Sequence, residues 1–200
     1  MHIGICGASY DGVIFDNTID YIGVDGGVQC LLEHGITPVV AIGDFDSLEK
    51  KEMLSNIKAI SLNPVKDCSD SHYAIEYAIQ KGYQRISLYG VTGHRLDHYM
   101  AIIALVQRYP SKDIHIIDLW NDITILNSGI HRFKTEYTYF SLFAFENTQI
   151  SIQNAKYELV HYLLTKQDPL CLSNECLDKE VLIENDCPIL LIQSNENKIG

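Results

Sequence analysis

Apolar runs in the first half of the chain end, one after another, in aspartate and glycine. Residues 21–24 run into Asp25-Gly26-Gly27, and residues 39–42 into Gly43-Asp44-Phe45-Asp46-Ser47. Residues 59–62 lead on to Lys66-Asp67 and Ser69-Asp70. Residues 85–89 end at Gly90-Val91-Thr92-Gly93-His94-Arg95-Leu96-Asp97-His98. Stretches with helical spacing lie between: Val28, Leu31 and Leu32 before Gly35, then Ala74, Ile75, Ala78 and Ile79 before Gly82. Residues 48–57 read as a polar surface helix. Residues 101–106 read as a helix apolar all round, buried on more than one side, with Pro110 beyond its end. Short strands are expected at 2–6 and 114–119. This rhythm predicts an α/β fold, an N-terminal doubly wound, mostly parallel sheet. In such a sheet ligands bind beyond the carboxyl ends of the strands, which is where the aspartates fall.

The texture changes after residue 121. Strand candidates recur at 123–126, 139–145, 149–152, 157–163, 181–183 and 189–193, separated by polar turns and without long helical periodicity. The expectation is a C-terminal all-β sandwich domain. The division is therefore 1–122, an α/β domain, and 123–200, a β-sandwich domain. A chain of 200 residues fits one large domain or two small ones and is long enough to bury a core.

Composition narrows the partners. Fifteen Lys and Arg stand against 26 Asp and Glu, a net charge of −11 with no basic cluster, which argues against nucleic acid. No apolar stretch reaches the length of a membrane span. The six cysteines form no C-x-x-C pair, and Cys6, Cys30 and Cys187 lie in or beside apolar runs, as buried free thiols do. No secretory leader pattern precedes residues 2–6, so the cytoplasm is the expected compartment.

Four strand ends that carry carboxylates would converge on one sheet edge, where they repel one another unless cations bind. Mg²⁺ takes a few carboxylates plus water and substrate phosphates, and glycine lets backbone N–H groups approach phosphate oxygens. Acids and glycines together suggest a Mg-nucleotide site. Each motif alone is weak. Asp25-Gly26 is a common turn, Asp70 reads as a helix N-cap, and Arg95 and Asp97, two apart, need not pair.

The combination resembles the thiamine pyrophosphokinase family. V-D-G-G, P-x-x-x-x-I-G-D-F-D-S from Pro38, K-D-x-S-D, G-x-T-G-H-R-L-D-H and the later Leu172-Ser173-Asn174-Glu175 follow that family's order over nearly the whole chain. The resemblance implies a Mg²⁺ and ATP site made by Asp44, Asp46, Asp70 and Asp97. Arg95 would grip phosphate, and Asp25, Gly26, Gly27, Ser47, Lys66, Asp67, Ser69, Gly93 and His98 would contact the nucleotide. Ser173 and Asn174 would approach the pyrimidine of thiamine from the β domain. It also implies a homodimer holding thiamine between the α/β domain of one subunit and the β domain of the other. The reaction would be in-line attack by the thiamine hydroxyl on the β-phosphorus of ATP, with AMP leaving. The residues leave the general base open among Asp46, Asp70 and Asp97.

Three departures stand out: His94 where the family has Gly, Ile102 where it has Asn, and Ser69 where it has Thr. His94 is either a phosphate donor or a tolerated loop residue. Competing readings are a metal-dependent nucleotide-sugar glycosyltransferase using Asp44-Phe45-Asp46, a non-catalytic thiamine or nucleotide binder, and a diphosphokinase acting on a pterin alcohol.

Overall fold

The computed structural model describes residues 1–9, 12, 14–45, 55–62, 68–93, 95–177 and 180–196. It is mixed α/β, with a large sheet and a second, antiparallel sheet, and divides into two compact units, Met1–Leu119 and Trp120–Gly200. The expected division at 122/123 falls inside a strand, Asn121–Leu126. Asn121 and Asp122 look like linker residues, but they face Ser194 and Gln193 across an antiparallel ladder.

In the first unit six strands run parallel: β1 (His2–Cys6), β2 (Asp20–Val24), β3 (Val40–Gly43), β4 (Ala59–Ser61), β5 (Arg85–Tyr89) and β6 (Asp113–Ile117), in the order β4-β3-β2-β1-β5-β6. Apolar side chains that are buried on both faces of a parallel sheet give near-continuous runs. Ile3, Ile5, Ile22, Ile42, Ile86 and Leu88 are all 1% exposed or less. Register brings the carboxyl ends level: Cys6 lies beside Gly23 and Tyr89, and Ile42 beside Val24.

Three helices occur among the described residues. Helix α1 (Gly27–Glu33) starts hard against β1, since a Cβ on Gly27 would overlap the Cys6 carbonyl oxygen; it ends before Gly35 at φ +73°. Helix α2 (Asp70–Gln80) buries Ala74, Ile75 and Ala78. Its N-cap is Ser69, not Asp70 as the sequence suggests: the Ser69 hydroxyl accepts from the His72 N–H at 3.2 Å. The shorter serine side chain takes the cap, and Asp70 becomes the acidic residue of the first turn, a position favoured by the helix dipole. Helix α3 (Leu96–Val106) corrects a second expectation. Ile102, Ile103, Leu105 and Val106 are buried, but Leu96, Met100, Ala101 and Ala104 are exposed, so the helix packs on one side only. The expected surface helix at 48–57 lies mostly outside the described residues.

The second unit contains β7 (Asn121–Leu126), β8 (Gly129–Phe133), β9 (Tyr139–Ala144), β10 (Thr148–Gln153), β11 (Leu159–Leu164), β12 (Val181–Asn185) and β13 (Ile189–Ser194), with no helix among the described residues. Strands β7, β13 and β9 pair antiparallel, and a four-stranded antiparallel sheet runs β11-β10-β12-β8. Inward residues of both sets form one core: Phe140, Leu142, Ile189 and Leu191 from one, Ile150, Ile152, Val181 and Ile183 from the other. Each such side chain contributes about 1.5–3 kcal/mol by leaving water.

Candidate functional site

The strand order β4-β3-β2-β1-β5-β6 reverses its direction of connection between β1 and β5. A crevice opens beyond the strand ends at such a point. Gly7 and Gly90 follow these two strands, and a Cβ on either would come 2.7 Å from the other's carbonyl oxygen, so the two chains touch backbone to backbone. The Gly7 N–H donates to the Tyr89 carbonyl at 2.8 Å and the Ser9 N–H to the Gly90 carbonyl at 2.9 Å. Here lies a cavity of about 300 Å³ whose polar lining includes Ser9, Asp25, Ser69, Ser71 and His98. Val91, Ala101 and Ile102 supply an apolar wall. Of the residues singled out from sequence, Asp25, Ser69 and His98 meet in this cavity. Gly7, Ala8, Ser9 and Ser71 were missed; extending the strand-end rule to the run at 2–6 would have found the first three.

Asp25 is held with φ +48°, its N–H donating to the Ile42 carbonyl at 3.0 Å. That turn sends its carboxylate into the space beside Gly43, where a Cβ would overlap Asp25 Oδ1. Asp44 follows β3 directly and is half-buried, and Asp70 is half-buried in the first turn of α2. Gly26 and Gly27 are set against Ala8 and the Cys6 carbonyl, which accounts for their lack of side chains by packing alone. Asp46, Ser47, Lys66, Asp67 and His94 lie outside the described residues. Among the described residues no three His, Cys, Asp or Glu side chains are grouped to hold a metal ion.

Arg95 and Asp97 do pair, contrary to their spacing. Arg95 is the residue before α3 and is extended (φ −102°, ψ 96°), so its guanidinium folds back over the first helical turn. Nη2 meets Asp97 Oδ2, and Nε donates to Oδ1 at 3.2 Å. The i, i+2 rule for helices does not reach a residue outside the helix. Hydrogen bonding from Arg95 holds the Asp97 carboxyl below its ordinary range, although both side chains are about two-thirds exposed. Gly93, just before them, is at φ +118° and exposed.

The second unit has its own cavity, about 460 Å³, lined by Tyr157, Leu159, Leu170, Leu172 and Ser173. Ser173 is exposed, at φ +54°, with its N–H donating to Ser141 Oγ at 2.9 Å. Asn174 is different in kind. It is 3% exposed, its Oδ1 accepts from the N–H groups of Tyr157 (3.0 Å) and Glu175 (2.9 Å), and its Nδ2 donates to the Tyr157 carbonyl at 2.8 Å. The amide thus staples the 157 and 173–175 segments together. Beside it Cys171 is buried, and that burial, with a smaller contribution from Asp168, pushes its thiol up to about 11.

Known proteins carry both units. Residues 13–117 match the thiamin pyrophosphokinase catalytic domain, and residues 128–190 match the thiamin pyrophosphokinase vitamin B1 binding domain. Thiamine pyrophosphokinase of Bacillus subtilis is 33% identical over 167 residues, 78% of either chain. The crystal structure of thiamine pyrophosphokinase from Bacillus subtilis superposes with a TM-score of 0.89 at 27% identity, covering 98% of this chain and 100% of that one. That from Geobacillus thermodenitrificans gives 0.89 at 27%, covering 98% and 99%. With both domains matched in order, and a relative this similar over most of its length, the chain belongs to the thiamine pyrophosphokinase family.

Proposed function

We propose that the protein is a Mg²⁺-dependent thiamine pyrophosphokinase, moving a pyrophosphoryl group from ATP to the hydroxyl of thiamine with release of AMP. The observation that carries this reading is the cavity at the β1/β5 switch point, where Asp25, Ser69 and His98 meet beside glycine-rich strand ends. Backbone N–H groups and small hydroxyls suit phosphate oxygens. The donors at the strand ends are carboxylates, the hard oxygen ligands that Mg²⁺ takes, and Gly43 leaves the space in which the Asp25 carboxylate sits. Asp44, Asp46, Asp70 and Asp97 would hold the ion. When bound, it would neutralise phosphate charge that builds on the leaving group.

The chain's own part is to bind and orient. Ser9, Ser69 and the Gly90 segment cradle phosphate, assisted by Gly26, Gly27, Ser47, Lys66, Asp67 and Gly93. Arg95, released from Asp97, grips it through two N–H donors. One of Asp46, Asp70 and Asp97 accepts the hydroxyl proton. Ser173 orients thiamine from the second cavity, and Asn174 keeps that loop in place.

Further parts of the reading rest on the family and on general rules. Right-handed crossovers would put α1 on one face of the parallel sheet and α2 and α3 on the other, the doubly wound arrangement, and the β unit would be a sandwich. The molecule would work as a cytoplasmic homodimer with thiamine between subunits. Among the described residues no helix is long and apolar enough to cross a membrane.

Incubation with ATP, Mg²⁺ and thiamine, alongside a panel of other alcohols that includes a pterin alcohol, tests the proposal. AMP release is expected with thiamine. ATP binding without AMP release, or AMP release with another alcohol only, overturns it.

A further inference from the structure

We infer that His72 is a positioning residue for the nucleotide cavity, acting through a closed hydrogen-bond ring with Glu76 and Tyr109. This rests on the reading of the switch-point cavity as the ATP site. His72 Nε2 lies 3.2 Å from Glu76 Oε1 and 3.1 Å from the Tyr109 hydroxyl, and that hydroxyl donates to Glu76 Oε1 at 3.1 Å. With the proton on Nε2, two hydrogens serve the three contacts: the Tyr109 hydroxyl donates to Glu76 Oε1, and the His72 N–H is shared between Glu76 Oε1 and the Tyr109 oxygen. The His72 side chain is 13% exposed and that of Glu76 44%, so the cluster is part-buried, with the imidazole on its inner side. The Tyr109 hydroxyl is held above its ordinary range, by burial first and then by Glu76.

The ring joins two walls of the cavity. His72 and Glu76 are on α2, one turn apart. Tyr109 closes the turn after α3, its N–H donating to the Val106 carbonyl at 3.0 Å. The start of α2 brings Ser69 and Ser71 to the cavity, and α3 brings His98, Ala101 and Ile102. His72 also reaches the cavity side through its backbone, since its N–H is the donor to the Ser69 cap. One residue therefore fixes the cap hydroxyl through its main chain and ties the helix to α3 through its ring.

Without the ring, α2 keeps its core contacts through Ala74, Ile75 and Ala78, so the fold should survive. What relaxes is the first turn, where small displacements are costly for a bound nucleotide. The K-D-x-S-D motif ends at Asp70 and the next motif spans Gly90 to His98, so His72, Glu76 and Tyr109 fall outside both.

Three variants test the inference: His72→Phe removes the polar ring atoms, Tyr109→Phe removes one hydroxyl, and His72→Gln restores a donor near Nε2. Binding of an α,β-methylene ATP analogue with Mg²⁺ is measured by calorimetry, with Michaelis constants for ATP and thiamine and melting temperatures in parallel. His72→Phe and Tyr109→Phe should weaken analogue binding and raise the ATP constant about two- to tenfold, the range for one lost hydrogen bond. The thiamine constant should stay within about twofold, a split that general loosening would not produce. His72→Gln should recover most of the loss. Unchanged analogue binding in Tyr109→Phe, no recovery in His72→Gln, or a parallel fall of every parameter with melting temperature overturns the inference. A wild-type protein that binds the analogue yet releases no AMP defeats the functional reading alone. One that fails to bind it defeats both.

Discussion

The carboxylate of Asp25 lies where a side chain at position 43 would have to go: a Cβ on Gly43 would overlap Asp25 Oδ1. Two neighbouring strand ends, β2 and β3, are thereby interlocked. Gly43→Ala is expected to displace Asp25 and reduce turnover sharply. Overpacking of this kind costs about 1–3 kcal/mol, so the melting temperature should also drop. Normal turnover in this variant would show that the position of Asp25 is immaterial.

Ser173 and Asn174 should separate cleanly. Ser173→Ala is expected to raise the thiamine Michaelis constant about two- to tenfold, the worth of one neutral hydrogen bond, with the ATP constant and the melting temperature unchanged. Asn174→Ala removes the partner of three part-buried backbone groups of Tyr157 and Glu175 and should destabilise the unit by about 1–3 kcal/mol. Thermal melts and steady-state kinetics on both variants decide it. A loss of ATP affinity in Ser173→Ala would remove Ser173 from thiamine binding.

Chelation of divalent ions should stop AMP release, and Mg²⁺ should restore it. Asp44→Asn and Asp46→Asn are each expected to raise the Mg²⁺ concentration for half-maximal rate and to lower turnover, while circular dichroism is unchanged. Near-normal rates at limiting Mg²⁺ would exclude the residue from the ion's shell.

Alkaline pH should reveal Cys171. Its thiol is raised from 9.0 to about 11 in the folded chain, and the unfolded chain ionises first. The folded state is therefore favoured below about pH 9, and that advantage is lost as pH rises toward 11. Denaturant melts between pH 8 and 11 should show wild type losing stability more steeply than Cys171→Ala. Parallel curves would contradict the burial effect.

The mass in solution by light scattering should be twice the 22.6 kDa chain, because a two-fold dimer is the commonest symmetric assembly and Val160, Leu163, Leu170 and Leu172 leave apolar surface exposed on the second unit. A monomeric mass for the active enzyme would refute the shared site.

Local patterns carried the parallel sheet well. Apolar runs at 21–24, 39–42 and 85–89 became β2, β3 and β5 because burial on both faces favours continuous apolar runs, and the one buried polar residue among them, Ser87, is hydrogen-bonded to His2. Strand β8 escaped notice because Gly129-Ile130-His131-Arg132-Phe133 mixes charge with an isoleucine that points to solvent, 64% exposed, and its pairing with β12 is a tertiary event. The site divided along the same line. Asp25, Ser69 and His98 were legible because strand ends mark them. The Arg95–Asp97 pair, the Asn174 staple and the tie from His72 to Tyr109 depend on where side chains meet after folding, and spacing along the chain does not encode that.

Strand β1 has β2 on one side and β5 on the other. Translation must therefore pass residue 89 before β1 acquires its second neighbour, and until then Ile3 and Ile5, wholly buried at the end, have only half their cover. Closing so long a loop is slow. A nascent or heat-stressed chain should expose this strand as the sticky edge that chaperones recognise, and segments released from the ribosome before residue 89 should aggregate where the complete first unit stays in solution.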